Sequence, residues 1–366
     1  KPEGYTTAKV DQIIQEYEKK SANAQQSTAK QYPNIITVVN ETFADIKVLG
    51  NFKTNEDYMP YFHSLKKNCV TGYTYASIVG GQTANTEFEL LTGNTLGFLS
   101  AGTTAFQLYI HGQMPSLVSN LKAEGYSGNK AMHPFNPYNY NRPAVYKDFG
   151  FTDFIDKFDF PKNVKRVREY ISDEANVDCI ISEYEKNRKK TDQPFYMYNM
   201  TIQNHSPYDK DAANFKQPIK IESSKYDAEA NRYLNLIKYS DDSLKQLTSY
   251  FEKCKEPTII LFLGDHQPRL TDEFMNKITN GQYQTWSSEQ MMKRYQVPFV
   301  IWANYDIKEQ HIEKTSMNYI QSILTKTAGV KMTGYQRFLN EVRKEVPTIT
   351  SQGYWGKNGK FYQIND

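Results

Sequence analysis

The stretch TIILFLGDHQP, residues 258–268, joins an apolar run to a glycine, an acidic and an imidazole side chain. Thr258–Leu263 is short and almost wholly apolar, which predicts a strand buried on both faces of a sheet. Three further runs of this kind are NIITVV after Pro33, Phe195–Thr201 and Val297–Trp302. Helical patterns such as 228–252 separate the strands. The sequence therefore predicts an α/β fold with a central mixed, mainly parallel sheet flanked by helices.

The chain divides into three segments by composition. Residues 7–20 have apolar side chains at helical spacing, and residues 21–32 are polar and read as a linker. After residue 305 a helical pattern at 316–327 and a short glycine-rich strand region predict a small subdomain. The expected organisation is an N-terminal helix and linker at 1–32, a catalytic domain at 33–305 and a small C-terminal subdomain at 306–366.

Composition excludes several classes of protein. The chain has 366 residues, 39% of them hydrophobic, enough to bury a sizeable core. Its 44 basic and 41 acidic residues give a net charge of +3, too balanced for a dedicated nucleic-acid binder. The apolar runs are far shorter than the roughly 20 residues of a membrane-spanning helix. Because the chain opens at Lys1 without a methionine or a signal-peptide pattern, we expect that a preceding segment has been removed.

The three cysteines, Cys69, Cys179 and Cys254, are far apart and form no CxxC pair. This spacing excludes a thiolate zinc site and argues against a disulfide framework. We expect all three side chains to be packed as small hydrophobic groups.

Polar residues follow three of the predicted strands. In open α/β sheets, binding and catalytic residues usually lie just past the carboxyl ends of the strands. Glu41 follows the first strand, His205 follows the second, and Asp265-His266 follow the third. A buried Asp-His pair beside Gly264 is costly to desolvate unless it is paired or binds a metal. For Glu41 alone, a carboxylate that caps the next helix is an equally good interpretation.

A fourth candidate is Thr83, which follows Gly80-Gly81 at the start of a helical pattern that ends at Gly93. It stands at the expected N-cap, so it is either a helix cap or a nucleophilic alcohol at a helix N-terminus. Such a hydroxyl needs a base or a metal. Glu41, Asp265 and His266 could be metal ligands, with Thr83 as the fourth, losing its proton on coordination. These nitrogen and oxygen ligands fit manganese, magnesium or zinc, and His205 could act as acid or base.

Together these segments resemble the extracellular catalytic domain of the lipoteichoic acid synthase family, in the sulfatase-like alkaline phosphatase superfamily. The resemblance runs from about Pro33 to beyond Trp302. The motifs that carry it are VVNETFADI around Glu41, GGQTANTEFELLTG around Thr83, TIQNHSPY around His205 and FLGDHQP around Asp265 and His266.

The resemblance implies roles for individual residues. Glu41, Thr83, Asp265 and His266 correspond to the site of one divalent metal, most commonly Mn²⁺, and Thr83 corresponds to the nucleophile. Thr86 is a rival, but the family pattern places the nucleophile directly after the glycine turn.

The family binds glycerol phosphate through an aromatic-Asn-Arg segment, which here reads Tyr140-Asn141-Arg142. Tyr140 stands where these synthases usually have Trp, so the substrate detail at that position is open. Arg142 suits a bidentate phosphate clamp. His133, in the preceding loop, joins the pocket or is an ordinary surface histidine. No motif surrounds His63, His111 or His311.

The function implied is transfer of glycerol phosphate from a phosphatidylglycerol-like lipid to a glycerol phosphate polymer or glycolipid, through a covalent phospho-threonine on Thr83. The resemblance also implies N-terminal transmembrane helices and a catalytic domain outside the cell membrane. One alternative is a metal-dependent phosphodiesterase or sulfatase. A contrasting class is a non-enzymatic envelope-binding protein, which would be expected to have lost the four candidate ligands.

Overall fold

A computed structural model of the chain describes residues 4–23, 31–222, 227–281 and 283–364. The strands are β1 Asn34–Asn40, β2 Cys69–Tyr75, β3 Ser127–His133, β4 Asp153–Asp156, β5 Arg166–Val167, β6 Tyr170–Ile171, β7 Phe195–Met200, β8 Thr258–Gly264, β9 Gln296–Ala303, β10 Gln310–Ser316, β11 Thr348–Thr350, β12 Gly353–Trp355 and β13 Phe361–Tyr362.

The α-helices are α1 Thr7–Asn23, α2 Pro60–Ser64, α3 Thr83–Thr92, α4 Ala105–Leu108, α5 Leu117–Ala123, α6 Arg142–Phe149, α7 Asp173–Arg188, α8 Ala228–Phe251, α9 Asp272–Ile278, α10 Ser288–Met291, α11 Met317–Thr327 and α12 Gly334–Glu345. Short 3₁₀ turns cover Ile46–Val48, Leu96–Phe98, Asn139–Asn141, Tyr283–Thr285 and Met292–Tyr295. Within the described ranges, no helix has both the length and the apolar character needed to cross a bilayer.

Eight strands form the central sheet in the order β10-β2-β9-β8-β1-β7-β3-β4. Only β9 runs antiparallel to its neighbours β2 and β8; the other pairs in this sheet are parallel. β11, β12 and β13 form a small antiparallel sheet near the end of the chain. The predicted α/β class with a mixed central sheet is confirmed, and the small antiparallel sheet lies in the region predicted to be a small C-terminal subdomain.

Alternate side chains of the central strands pack into two cores, one on each face of the sheet. In β1, Ile35 and Val39 belong to one core, and Ile36 and Val38 belong to the other. Successive side chains of a strand point to opposite faces, so only a continuously apolar strand can supply both cores. Helices α3, α5, α6 and α11 cover the first core, while α7 and α8 cover the second.

Several elements differ from the expectations drawn from the sequence. β2, β3, β4 and β10 were not predicted, and β10 joins the central sheet although it lies within the segment 306–366. The division into segments 1–32, 33–305 and 306–366 stays a prediction. The helix predicted at 7–20 extends to Asn23, and residues 24–30 of the predicted linker lie outside the described residues. Of the cysteines, Cys69 is buried, while Cys179 and Cys254 are partly buried; none forms a disulfide.

Gly264, the last residue of β8, lets two strand ends approach each other closely. A Cβ atom built at this position would lie 1.8 Å from the main-chain oxygen of Phe43, in the loop that follows β1. A main-chain oxygen cannot move away as a flexible side chain could. The glycine is therefore required for the loops after β1 and β8 to come together.

We expect Gly264→Ala to lower the free energy of unfolding by about 1–3 kcal/mol, the usual cost of overpacking. Urea denaturation followed by circular dichroism measures this change. Gly281→Ala is the matched control, since its added methyl group meets no atom within 4 Å. It should change stability by less than about 0.5 kcal/mol. Equal stability of the two variants would contradict the close approach.

Candidate active site

The loops after adjacent strands meet at one edge of the sheet. β1 pairs with β8 on one side and β7 on the other, with Asn40 opposite Gly264 in register. Glu41 and Asp265 directly follow the last residues of β1 and β8, so the pairing brings them side by side. β7 leads into the loop that carries His205.

Glu41, Asp265 and His266 form a buried cluster at this edge. Their candidate ligand atoms all lie within 4.8 Å of one another, and each residue is no more than 3% exposed. Nε2 of His266 lies 3.2 Å from Oδ2 of Asp265 and 3.7 Å from Oε1 of Glu41.

Main-chain hydrogen bonds fix the orientation of this cluster. Oδ1 of Asp265 accepts from the main-chain N–H groups of Thr42, at 2.7 Å, and His266, at 2.8 Å. Nδ1 of His266 donates to the carbonyl of Gln267 at 3.0 Å. Oδ2 of Asp265 and Nε2 of His266 are buried and make no hydrogen bond with any described residue. Two buried acceptor atoms left facing each other fit a bound cation.

The charges of the cluster support the same conclusion. Burial, and then the neighbouring Asp265 carboxylate, raise the pKa of Glu41 to about 8, an effect that His266 only partly offsets. Two buried carboxylates side by side disfavour ionisation unless positive charge is present. The residues therefore fit a divalent ion bound by carboxylate oxygens and an imidazole nitrogen.

Thr83 is the first residue of α3, and the N-cap position belongs to Gln82, which has a left-handed backbone with φ of 63°. The expectation that Thr83 is the N-cap is therefore wrong. The reason is the Gly80-Gly81-Gln82 turn, in which all three residues have positive φ, so the helix begins at Thr83, one residue earlier than expected. The Thr83 hydroxyl donates to Oε2 of Glu41 over a long 3.5 Å. Gly93 closes the helix, as the sequence predicted.

Thr86, the rival to Thr83, faces elsewhere. Its hydroxyl donates to the main-chain oxygen of Asp265 at 2.8 Å, and the residue is fully buried. Thr83 lines the pocket beside the cluster, and Thr86 is absent from that lining.

Arg142 also lines the pocket, but its guanidinium is already held by Glu87. Nε and Nη2 of Arg142 donate to the same Glu87 oxygen, at 3.1 and 2.8 Å. The other Glu87 oxygen accepts from the hydroxyls of Tyr146 and Tyr198. Burial alone would lower the pKa of Arg142, but the Glu87 carboxylate raises it, so the guanidinium stays charged.

This pairing occupies the Nε and Nη2 edge of the guanidinium, and the role of Arg142 as a phosphate clamp stays a prediction. Nη1 makes only a 3.5 Å contact with the carbonyl of Asn139, so it is the nitrogen best able to contact a substrate. Tyr140 packs its ring against the guanidinium, with 5.1 Å between the ring centroid and Cζ. Both Tyr140 and Asn141 have a left-handed backbone, which turns the chain sharply before Arg142 begins α6.

Two histidines stand on the other side of the pocket. His133 ends β3 and is 2% exposed, so the alternative of a surface loop histidine is wrong. Its Nδ1 donates to the carbonyl of Met200 at 3.0 Å. Burial, and then the charge of Arg142, hold the pKa of His133 well below its usual range. The ring is therefore neutral, and its Nε2 can accept a hydrogen bond from a hydroxyl.

His205 is only partly buried, and its Nδ1 donates to the carbonyl of Ser206 at 2.7 Å. Its ring stacks on Phe135 with centroids 6.3 Å apart. The predicted residues Glu41, Thr83, His133, Tyr140, Arg142, His205 and His266 all line one pocket, with Asp265 immediately behind them.

Sequence reasoning missed several residues of this pocket, namely Thr42, Gln82, Phe135, Tyr208 and Arg269. Arg269 was the easiest to find, since it directly follows the motif FLGDHQP. Its side chain lies over the glycine turn: a Cβ atom added to Gly80 would come within 2.3 Å of Cγ of Arg269. Glu87 lies within the motif around Thr83, but nothing in the local sequence links it to Arg142.

The mixed sheet and the buried cluster of candidate metal ligands define an α/β protein of a known class. The family model described as Sulfatase matches residues 33–330, so the chain belongs to the sulfatase family.

A relative is the "Putative cyclic beta-1,2-glucan modification protein" of Rhizobium meliloti (strain 1021), which is 32% identical over 91% of this chain and 52% of its own length. The lipoteichoic acid synthase of Staphylococcus aureus (strain USA300) is 26% identical over 64% of this chain and 35% of its own length. The chain thus spans at most about half of these relatives. The resemblance to lipoteichoic acid synthases is confirmed.

Among solved structures, the Streptococcus pyogenes phosphoglycerol transferase GacH in complex with sn-glycerol-1-phosphate shares the fold. Its TM-score is 0.78 at 20% identity, with 93% of this chain and 87% of that chain covered.

Asp265→Ala and His266→Ala should each abolish binding of one divalent ion, because either change leaves too few ligands for a stable site. Elemental analysis after loading with Mn²⁺ and gel filtration measures the metal content. His311→Ala removes an exposed histidine of β10 and should keep the wild-type content. Unchanged metal content in both cluster variants would contradict the proposed ligands.

Proposed function

We propose that the chain is the catalytic domain of a metal-dependent phosphoglycerol transferase. It moves glycerol phosphate from a phosphatidylglycerol-like lipid to a hydroxyl of a cell-envelope polymer, glycan or glycolipid. The observation that carries the proposal is the position of Thr83, at the first turn of α3. There its hydroxyl lies 3.5 Å from Oε2 of Glu41, which belongs to the buried cluster. It faces a pocket that His133, His205 and the buried Arg142 also line.

The relatives support this choice of reaction. GacH is named a phosphoglycerol transferase and was solved with sn-glycerol-1-phosphate, and a second relative is named a lipoteichoic acid synthase. The Rhizobium relative is named for modification of a cyclic glucan, which supports a polyhydroxylated acceptor. We further propose that the domain acts at the outer face of the cell membrane, where lipid donor and envelope acceptor meet.

Glu41, Asp265 and His266 would hold the divalent ion, with the Thr83 hydroxyl as the fourth ligand. We propose Mn²⁺, while the oxygen and nitrogen ligands also suit Mg²⁺ or Zn²⁺. When bound, the ion would neutralise the buried carboxylates, lower the pKa of the Thr83 hydroxyl and offset charge on the phosphoryl oxygens.

The first step forms a bond between Thr83 Oγ1 and phosphorus and breaks the bond from phosphorus to the diacylglycerol oxygen. The nearest acceptor for the Thr83 proton is Oε2 of Glu41. His205 gives a proton to the leaving diacylglycerol oxygen, since its Nδ1 is fixed on Ser206 and its Nε2 remains for this transfer.

The remaining pocket residues bind and orient the glycerol phosphate. Nη1 of Arg142 contacts a phosphoryl oxygen, and the N-terminus of α3 adds main-chain N–H groups to the same charge. The neutral His133 accepts from a glycerol hydroxyl rather than binding phosphate, because its Nε2 has no hydrogen to donate. Tyr140 covers the guanidinium on one side.

A sulfatase or phosphodiesterase is the second candidate, favoured by the name of the family model. Sulfatases normally use a Cys or Ser within a Cys/Ser-x-Pro-x-Arg motif, and this chain reads Thr83-Ala84-Asn85-Thr86-Glu87. That departure favours the threonine mechanism. A hydrolase that attacks with water would differ from the proposal in its dependence on Thr83.

Thr83→Ala should be folded but without measurable turnover, because the covalent route has no substitute for this hydroxyl. The assay is release of diacylglycerol from fluorescent phosphatidylglycerol in detergent micelles with Mn²⁺. Thr86→Ala, three residues away on the same helix, is the control and should retain activity. Substantial turnover by Thr83→Ala would favour a hydrolase that attacks with water. Loss of activity only in Thr86→Ala would show that Thr86, and not Thr83, is the nucleophile.

Arg142→Lys should lower kcat/KM in the same assay by about tenfold or more, which is the loss expected for one charge-assisted hydrogen bond. An ammonium group can face Glu87 or the phosphate, but it lacks the fork that reaches both. Arg232→Lys is the control, since that arginine pairs with Asp211 outside the pocket. Turnover by Arg142→Lys at the wild-type rate would show that Arg142 has no role in the reaction.

A further inference from the structure

The loop that carries His205 is long and has no regular structure of its own. Residues 201–220, called the His205 loop below, follow β7 without forming a helix or a strand. Loops of this length without secondary structure are uncommon in compact domains and are often functional. Their main-chain polar groups need partners from elsewhere in the protein. The side chains that supply those partners therefore decide where His205 stands.

One side chain satisfies three main-chain carbonyls of the His205 loop. Nη2 of Arg168 donates to the carbonyls of Gln203, at 2.8 Å, and His205, at 2.7 Å. Nη1 donates to the carbonyl of Pro207 at 2.7 Å. Hydrogen bonds from a charged donor are roughly twice as strong as those between neutral groups. Because the guanidinium is planar and rigid, these bonds fix both the position and the orientation of the loop around His205.

Side chains of the sheet and of α8 hold the loop from within the domain. Nδ2 of Asn204, the residue before His205, donates to Oδ1 of Asn40 at 3.0 Å and to Oγ of Ser240 at 2.8 Å. Asn204 is fully buried. The main chain at His205 is thus fixed on one side by Asn204 and on the other by Arg168.

The hairpin of β5 and β6 also contacts the ring of His205. Tyr170 of β6 packs against the imidazole with centroids 5.8 Å apart, and its hydroxyl lies 3.4 Å from Nδ1. The Arg168 guanidinium lies 5.1 Å from the ring centroid of Tyr170. Since Nδ1 also donates to the carbonyl of Ser206, Nε2 is the ring nitrogen left for the pocket that His205 lines.

Arg168 stands at a position whose backbone conformation favours glycine. It is the first of the two residues that join β5 to β6, and its φ is 54°. Two-residue hairpin turns with positive φ at the first position usually have glycine there. A larger residue in this conformation is uncommon and persists only where its surroundings hold it. The three hydrogen bonds to the His205 loop are the contacts that only a side chain can make here.

We propose that Arg168 is a positioning residue for the proton transfer assigned to His205. The inference rests on the proposed function, in which Nε2 of His205 gives a proton to the diacylglycerol oxygen as the bond from that oxygen to phosphorus breaks. Arg168 is absent from the described lining of the pocket, so it acts through His205 and not on the substrate. A displacement of about 1 Å at a reacting group can lower a rate by roughly 100-fold.

The test compares two donors that differ in their need for a proton. The diacylglycerol oxygen of phosphatidylglycerol needs protonation as it leaves, whereas 4-nitrophenolate leaves from glycerol 4-nitrophenyl phosphate without it. Arg168→Gly suits the backbone of the turn and should keep the fold. It should lower kcat/KM for phosphatidylglycerol by about tenfold or more, and change kcat/KM for the nitrophenyl diester by less than about twofold.

Three further variants identify the cause of this loss. His205→Ala should show a selective loss at least as large, and adding Arg168→Gly to it should cause no further loss, because residues that act as a unit are not additive. Arg168→Lys keeps the charge but cannot reach three carbonyls, so it should behave as Arg168→Gly does. Arg166→Gln removes an exposed arginine of the same hairpin and should keep the wild-type values.

Three results would overturn the inference. An equal loss with both donors would show that Arg168 is merely structural. A further loss on adding Arg168→Gly to His205→Ala would show that Arg168 acts independently of the histidine. Wild-type values for Arg168→Lys would show that the charge, and not the set of hydrogen bonds, is what the reaction needs.

A measurement without turnover separates this inference from the proposed function. Hydrogen–deuterium exchange followed by mass spectrometry should show exchange about tenfold faster in the peptide that contains His205 for Arg168→Gly, but not for Arg166→Gln. Such faster exchange, together with a wild-type protein that turns over neither donor, would support the role of Arg168 in holding the loop and overturn the proposed reaction. Unchanged exchange in Arg168→Gly would overturn the inference even if the wild type is active.

Discussion

Two carboxylates and an imidazole buried together at the ends of β1 and β8 are the constraint on which the rest of the site depends. Parallel pairing sets Asn40 opposite Gly264, and the absence of a side chain at Gly264 lets the following loops meet. Main-chain N–H groups then hold one oxygen of Asp265, so that the other oxygen and Nε2 of His266 face the same point. This arrangement is unfavourable for the bare side chains and favourable for a cation.

Helix α3 connects this cluster to the side of the pocket that Arg142 lines. Thr83 and Glu87 are four residues apart and therefore lie on one face of the helix, one turn from each other. Thr83 contacts Glu41 of the cluster, whereas Glu87 holds Arg142 together with Tyr146 and Tyr198. One rigid helix thus sets the distance between the proposed nucleophile and the arginine proposed to bind phosphate, which accounts for the burial of so costly an ion pair.

The sequence predicted those parts of the fold and site that depend on local patterns. Continuous apolar runs identified β1, β7, β8 and β9, and the rule that chemistry collects after parallel strands led to Glu41, Asp265 and His266. β3 was missed because SGNKAMH carries polar residues at several positions, although His133 at its end is buried. The Glu87–Arg142 pair joins residues 55 positions apart. Local sequence carries no signal for such tertiary contacts.

We propose that Thr83 carries the glycerol phosphate between donor and acceptor. The most direct test of this proposal is mass spectrometry of the protein quenched by acid during turnover of phosphatidylglycerol with Mn²⁺ and no added acceptor. We expect a glycerol phosphate adduct on the proteolytic peptide that contains Thr83, with fragment ions that locate it on that residue. Diacylglycerol release without any adduct, or with an adduct on another residue, would contradict it.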